Sequence, residues 1–267
     1  MSACFVSYLL DAAMTPRISW YTLMPTRVRM CSFDYPVVIF VEPDLADDEG
    51  RQTIRSFTTT PRRLFVQVVQ FELPSFITSP VPRRAGNAKT IGYRHMCRFH
   101  AISVYRQPIM STLSGIEYAW RLDDDSFLYR PVSYDLFAFM RDRRLLYGYM
   151  QIRDEAPGLI RGLWQTADEH VRAEGGDLPE FYTAWKRTKI YYTNFEISAM
   201  SVWTSTEYCR LVDYIDRRGG IYYRRWGDAP IKTIAVTLFV ARNRTHHFAD
   251  VAYKHNIYTN RGRAKTP

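Results

Sequence analysis

The sequence is sparing with cysteine and with long apolar runs, and both shortages narrow the field. Its four cysteines, Cys4, Cys31, Cys97 and Cys209, stand singly and far apart, with no CxxC pair and no dense framework. That excludes a zinc ribbon and leaves the redox compartment open. The N-terminal run Ala3 to Leu10 is apolar but too short for a signal peptide and has no basic flank. No later stretch reaches the roughly 18 apolar residues needed to cross a bilayer. The chain is therefore expected to be a soluble body with no transmembrane segment, signal or anchor. Internal repeats, low-complexity tracts and nucleic-acid-binding motifs are missing too.

What is abundant is positive charge and aromatic surface. A net charge of +9 favours anionic partners, whether nucleic acid, an acidic membrane surface or a phosphorylated small molecule. The basic clusters around Arg62 and Arg83, from Arg141 to Arg144 and from Arg217 to Arg225 are short or interrupted, so no nucleic-acid partner is expected. With 15% aromatic residues the chain has flat faces that suit a core or a sugar ring. Asn243-Arg244-Thr245 forms a glycosylation sequon.

The order of elements reads as one α/β domain. Short β-branched and apolar runs at 4–10, 36–42 and 64–73 predict buried strands, with a helix over 45–58 between the last two. Residues 74–90, rich in Pro, Ser and Arg, predict an exposed loop. A helix is expected over 93–111, interrupted near its end by Pro108. A strand over 118–122 follows. Helices are expected over 134–144, 158–174, 205–218 and 229–240, with strands over 146–152 and 194–202.

The strand over 118–122 runs straight into Asp123, Asp124 and Asp125. Ligands of open α/β sheets bind beyond the carboxyl ends of strands, so these acids are expected at a cleft. On extended chain Asp123 and Asp125 share a side, and two like charges so close call for a cation. Hard oxygen ligands suit Mg²⁺ or Mn²⁺ beside phosphate oxygens. An acidic turn is the alternative reading of so short a pattern.

Longer segments bear a resemblance. Tyr93-Arg-His-Met-Cys-Arg-Phe99, Tyr118-Ala-Trp-Arg-Leu-Asp-Asp-Asp125, Thr193-Asn-Phe-Glu-Ile197, Gly219-Gly-Ile-Tyr-Tyr-Arg-Arg-Trp-Gly-Asp-Ala-Pro230 and Phe248-Ala-Asp-Val-Ala-Tyr-Lys-His255 occur in the order seen in the fungal α-1,2-mannosyltransferases grouped as glycosyltransferase family 15, which the chain resembles over roughly residues 91–255. The resemblance implies a GT-A type α/β fold, a Rossmann-like mixed sheet flanked by helices in a single catalytic domain spanning 1–267. It implies a nucleotide-sugar-binding half over about residues 1–125 and an acceptor-binding half over about 126–267. It also implies a retaining transfer of mannose from GDP-mannose to a mannose-containing or other glycan acceptor in α-1,2 linkage, with Mn²⁺, or Mg²⁺ in its place. The family works in the Golgi lumen.

The same resemblance carries roles to single residues. Asp123, Asp125 and His255 are the expected metal ligands, although family members usually have Glu-Pro-Asp where this chain has Asp123-Asp124-Asp125. Glu196 matches the family's candidate nucleophile, and the alternatives of double displacement and front-side substitution stay open. Tyr93 is expected beside donor and metal. Asp228 either accepts hydrogen bonds from sugar hydroxyls, with Trp226 stacked on a ring, or caps the helix that follows it. His246 and His247 read as structural. Two rival functions remain, a same-fold transferase using a UDP-sugar and a carbohydrate-binding protein without catalysis.

Overall fold

The computed structural model describes residues 3–10, 35–56, 64–112, 115–123, 126–255 and 258–262. Its strands are β1 (Ala3–Leu10), β2 (Val37–Val41), β3 (Leu64–Val68), β4 (Ile116–Leu122), β5 (Ser126–Leu128), β6 (Tyr147–Tyr149), β7 (Ile152–Asp154), β8 (Lys189–Tyr191), β9 (Phe195–Ala199), β10 (Thr245–His247), β11 (Tyr253–His255) and β12 (Tyr258–Asn260). The helices are α1 (Asp48–Ser56), α2 (Ile91–Arg98), α3 (Pro108–Thr112), α4 (Leu136–Asp142), α5 (Leu163–Ala173), α6 (Glu180–Thr183), α7 (Met200–Trp203), α8 (Thr206–Arg217), α9 (Gly220–Arg224) and α10 (Asp228–Phe239).

Seven strands form the main sheet in the order β10-β6-β9-β4-β1-β2-β3. From β4 to β3 the strands are parallel, as the strand–helix–strand order β2-α1-β3 requires. Antiparallel β9 lies against the other edge of β4, pairing Arg121 with Glu196 and Leu122 with Phe195. The sheet is therefore mixed, and β9 brings its N-terminal end to the place where β4 finishes. A second sheet, β12-β11-β5, folds the C-terminal segment back so that His255 pairs with Ser126, three residues beyond Asp123.

α10 explains how the second half of the chain closes over the sheet. Its Ile231, Ile234, Ala235 and Val236 are fully buried, because it packs against α5, α6, α8 and β8 at once. A helix enclosed on every side must satisfy its polar groups internally. Thr233 and Thr237 do so by donating to the carbonyls of Ala229 (2.8 Å) and Thr233 (2.9 Å).

Three expected elements are corrected in detail. The helix over 93–111 is α2 followed by a wide turn at Phe99–Ser103 and a tight one at Val104–Arg106, after which Pro108 opens α3. Proline lacks the N–H that an interior position needs and suits a first turn. The strand over 146–152 is two strands, β6 and β7. The strand expected to reach Val202 stops at Ala199, where the chain turns into α7. No helix among the described residues is long and apolar enough to cross a membrane.

Candidate active site

β4 alternates faces, and that alternation builds the site. Trp120 and Leu122 are buried, with Trp120 edge-on to Phe195 and Phe137. Arg121, between them, points the other way. Its Nη1 donates to Asp228 Oδ2 (2.5 Å), while Nη2 and Nε donate to Asp123 Oδ1 (2.9 and 3.1 Å). One guanidinium, 6% exposed, thus ties the end of β4 to the start of α10. Two of these bonds converge on one oxygen of Asp123 and the third holds Asp228, so a single buried side chain orients both acids.

Asp228 also accepts from Thr193 Oγ1 (2.7 Å). Burial alone raises its carboxyl, but Arg121, His100 and these hydrogen bonds outweigh it and hold Asp228 well below the usual carboxylate range. For Arg121 the balance is the mirror image: burial opposes the charge, and Asp123 and Asp228 keep it well above its ordinary value. Buried His100, beside this cluster, is pushed well below the usual imidazole value by desolvation and by Arg121.

These groups line a cleft of about 420 Å³ whose walls include Tyr93, His100, Arg121, Asp123, Asn194, Arg225, Asp228 and His255. Tyr93 enters from α2, where Thr90 caps the helix by accepting from the Tyr93 N–H (3.4 Å). Its hydroxyl accepts from Arg225 Nη2 (2.7 Å), and Lys89 Nζ sits 4.5 Å from its ring centre. Burial, then Cys97, raises the phenol far above its ordinary value, so Tyr93 stays a neutral hydrogen-bonding group. Cys97 itself is buried and pushed up to about 12 by desolvation, which makes it an inert thiol. Arg225 holds a left-handed backbone (φ 66°) and reaches Glu155 (3.4 Å) across the cleft wall.

His255 Nε2 stands 3.8 Å from Asp123 Oδ2, so the tail histidine and the first acid of the motif do meet. A divalent ion bonded to both at about 2.1 Å sets its ligands about 3 Å apart at right angles and about 4.2 Å apart when opposed, and the observed spacing fits that range. Asp124 and Asp125 lie outside the described residues. Among the described residues no three acid, histidine or cysteine side chains converge on one point.

Glu196 is not brought to the cleft. It is 1% exposed and absent from the cleft lining. Lys232 Nζ donates to its Oε1 (2.6 Å) and Tyr147 donates to its Oε2 (3.1 Å). Tyr105 accepts a second bond from Lys232 (2.6 Å). The carboxylate is enclosed one strand away from the cleft acids, opposite Arg121 in the β4–β9 pair. Two smaller expectations are also corrected. Trp226 does not offer a ring to the cleft: it is buried over Gly220, where an added Cβ would lie 2.3 Å from the indole, and its N–H donates to Arg161 O (3.0 Å). Asp228 does not cap α10, whose N-cap is Gly227 with no side-chain cap bond. His247 and His246 are structural, the first bonded to Met150 O (2.9 Å) and the second packed on Phe139 and Phe248.

Several cleft residues carried no sequence signal of their own. Arg121 is the chief one, and His100, Asn194 and Arg225 accompany it. A charged residue between buried apolar neighbours, directly before an acidic run, is the pattern that points to Arg121.

Residues 30–266 match the model of the glycolipid 2-alpha-mannosyltransferase family. The chain belongs to this family. The match extends well before residue 91, where the quoted segments begin. The chain is 30% identical to alpha-1,2 mannosyltransferase KTR1 of Saccharomyces cerevisiae over 241 residues, covering 84% of this chain and 61% of that relative's length. Among solved structures of mannosyltransferases it resembles Ktr4p from S. cerevisiae in complex with GDP (TM-score 0.83, 24% identity, 99% of this chain and 74% of that one). It also resembles core-mannan synthase A from Aspergillus fumigatus in its Mn/GDP form (TM-score 0.80, 22% identity, 97% and 76%). The GT-A type α/β fold is thereby established for this glycolipid 2-alpha-mannosyltransferase family member.

Proposed function

We propose that the chain is a retaining, metal-dependent α-1,2-mannosyltransferase that moves mannose from GDP-mannose to a mannose-containing glycan. The observation that carries this reading is the Arg121 bridge, which presents Asp123 and Asp228 to one cleft with His255 beside Asp123. Family membership and the GDP and Mn named for the two solved relatives support donor and cofactor. The two halves of the chain, residues 1–125 and 126–267, share the cleft: Tyr93, Arg121 and Asp123 come from the first and Thr193, Asp228 and His255 from the second.

Asp123, Asp125 and His255 would hold Mn²⁺, or Mg²⁺. When bound, the ion supplies positive charge against the departing diphosphate. Arg121 keeps Asp123 aimed through its two hydrogen bonds to Oδ1. Tyr93, locked by Arg225, stands where a phenol can hydrogen-bond a phosphate or an acceptor hydroxyl, and Lys89 and Arg225 add positive charge along that wall. Asp228, kept ionised, accepts hydrogen bonds from sugar hydroxyls. The sealed position of Glu196 favours front-side substitution, in which the acceptor hydroxyl attacks on the face the diphosphate leaves. Positioning and charge stabilisation then supply most of the acceleration.

The test is turnover by purified protein with Mn²⁺, a mannoside acceptor and a panel of GDP-mannose, UDP-galactose and UDP-glucose. GDP-mannose is expected to be consumed with transfer. Turnover of a UDP-sugar alone overturns the donor assignment, and no consumption of any donor leaves a carbohydrate-binding protein.

A further inference from the structure

Asn194 holds three elements together with its backbone and nothing with its side chain. Its carbonyl accepts from the Asp123 N–H (3.3 Å), Ser126 Oγ (3.3 Å) and Tyr253 Oη (3.0 Å), joining the ends of β4, β5 and β11. Asn194 is 2% exposed and is one of the residues lining the cleft, yet neither its Oδ1 nor its Nδ2 has a hydrogen-bond partner among the described residues. Of the side chains with orphaned buried atoms among the described residues, Asn194 alone has both a donor and an acceptor unmet. Folded proteins keep few such groups, because each forfeits the hydrogen bonds it made with water.

We propose that the Asn194 amide reads a pair of hydroxyls on a hexose ring, Oδ1 accepting from one and Nδ2 donating to the other. This rests on the function proposed above. The chemistry selects the ligand class. A phosphate offers acceptors only and leaves Oδ1 unmet, and an apolar group leaves both atoms unmet. Two neighbouring hydroxyls, each donor and acceptor, satisfy the pair. Position favours the donor's hexose: Asn194 lies one step beyond the Leu122–Phe195 pairing, opposite Asp123, where the sugar next to a diphosphate would rest. An acceptor hexose carries the same hydroxyls and is the other source.

The experiment compares wild type with Asn194→Leu, which keeps the branching and removes both polar atoms, and with Asn194→Ala. GDP affinity, GDP-mannose hydrolysis without acceptor, transfer to a mannoside, and the melting temperature of the unliganded proteins are measured. The Leu variant is expected to melt at or above wild type, keep GDP affinity within about twofold, and lose about 100-fold or more in kcat/KM for hydrolysis. Loss in transfer with hydrolysis intact assigns the reading to the acceptor hexose. Both rates unchanged in both variants overturns the proposal. So does a large fall in melting temperature in both, which would mean that the amide is bonded within the fold. A wild type that neither binds GDP nor consumes any donor overturns the functional reading, and this assignment with it, and is recognised because it does not depend on residue 194.

Discussion

Two charged clusters lie one strand apart on the same face of the sheet, and they are built to opposite ends. Arg121 with Asp123 and Asp228 lines an open cleft, and the Asp123 side chain keeps 29% of its surface. Lys232 with Glu196 is closed on all sides, each side chain 1% exposed and hydrogen-bonded to Tyr105 or Tyr147. Arg121 and Glu196 even face each other across the β4–β9 pair. Charge alone therefore does not mark a catalytic residue. A place on the cleft wall separates the two clusters: Asp123 and Asp228 line it, and Glu196 and Lys232 do not.

The sharpest way to break this comparison is Lys232→Met. Leaving Glu196 buried without its cation is expected to cost about 3–5 kcal/mol in denaturant unfolding, since one half of a buried pair is worse than none. Lys232→Met combined with Glu196→Gln should regain most of that stability and keep turnover within about tenfold of wild type. A residue that attacks the anomeric carbon cannot be replaced by an amide so cheaply, because removing a nucleophile costs several powers of ten. Loss of activity in the stable double variant would return Glu196 to the chemistry.

A smaller effect comes from His100. Its folded pKa lies below that of the unfolded chain, so the unfolded state binds the extra proton first and stability falls as the pH drops from about 6.5 towards the folded value, by up to about 1.4 kcal/mol per pH unit. Burial depresses His95 and His170 as well, and they contribute to the same slope. His100→Gln is expected to flatten the unfolding free energy between about pH 7 and 5 by the share of one group while leaving its value near pH 8 little changed. An identical slope in the variant would place the proton on the other two histidines.

The sequence made the frame and part of the site legible. Asp123 is visible because an apolar strand breaks on it, and the parallel half of the sheet follows from short buried runs around one helix. Asp228 and His255 were reached through the resemblance, and no local pattern distinguishes the cleft-lining His255 from the structural His246 and His247. Arg121 was hidden for a physical reason: one polar residue in an alternating strand looks like a solvent-facing position, and only the arrival of α10 from 107 residues away turns it inward. The same holds for Glu196, whose partner Lys232 lies 36 residues on, and for Trp226, whose packing on Gly220 depends on the turn between α9 and α10. Contacts between distant segments are what local pattern does not carry.

A cation held between Asp123 and His255 for the donor's diphosphate is the centre of the proposed function. Calorimetric titration of GDP into the protein, with Mn²⁺ and again with EDTA, tests it directly in wild type, Asp123→Ala and His255→Ala. Binding is expected in wild type with Mn²⁺ and to weaken about tenfold or more on chelation and in either variant, as expected where a metal loses a protein ligand. GDP bound equally well by all three proteins, with the metal or without it, would contradict the account.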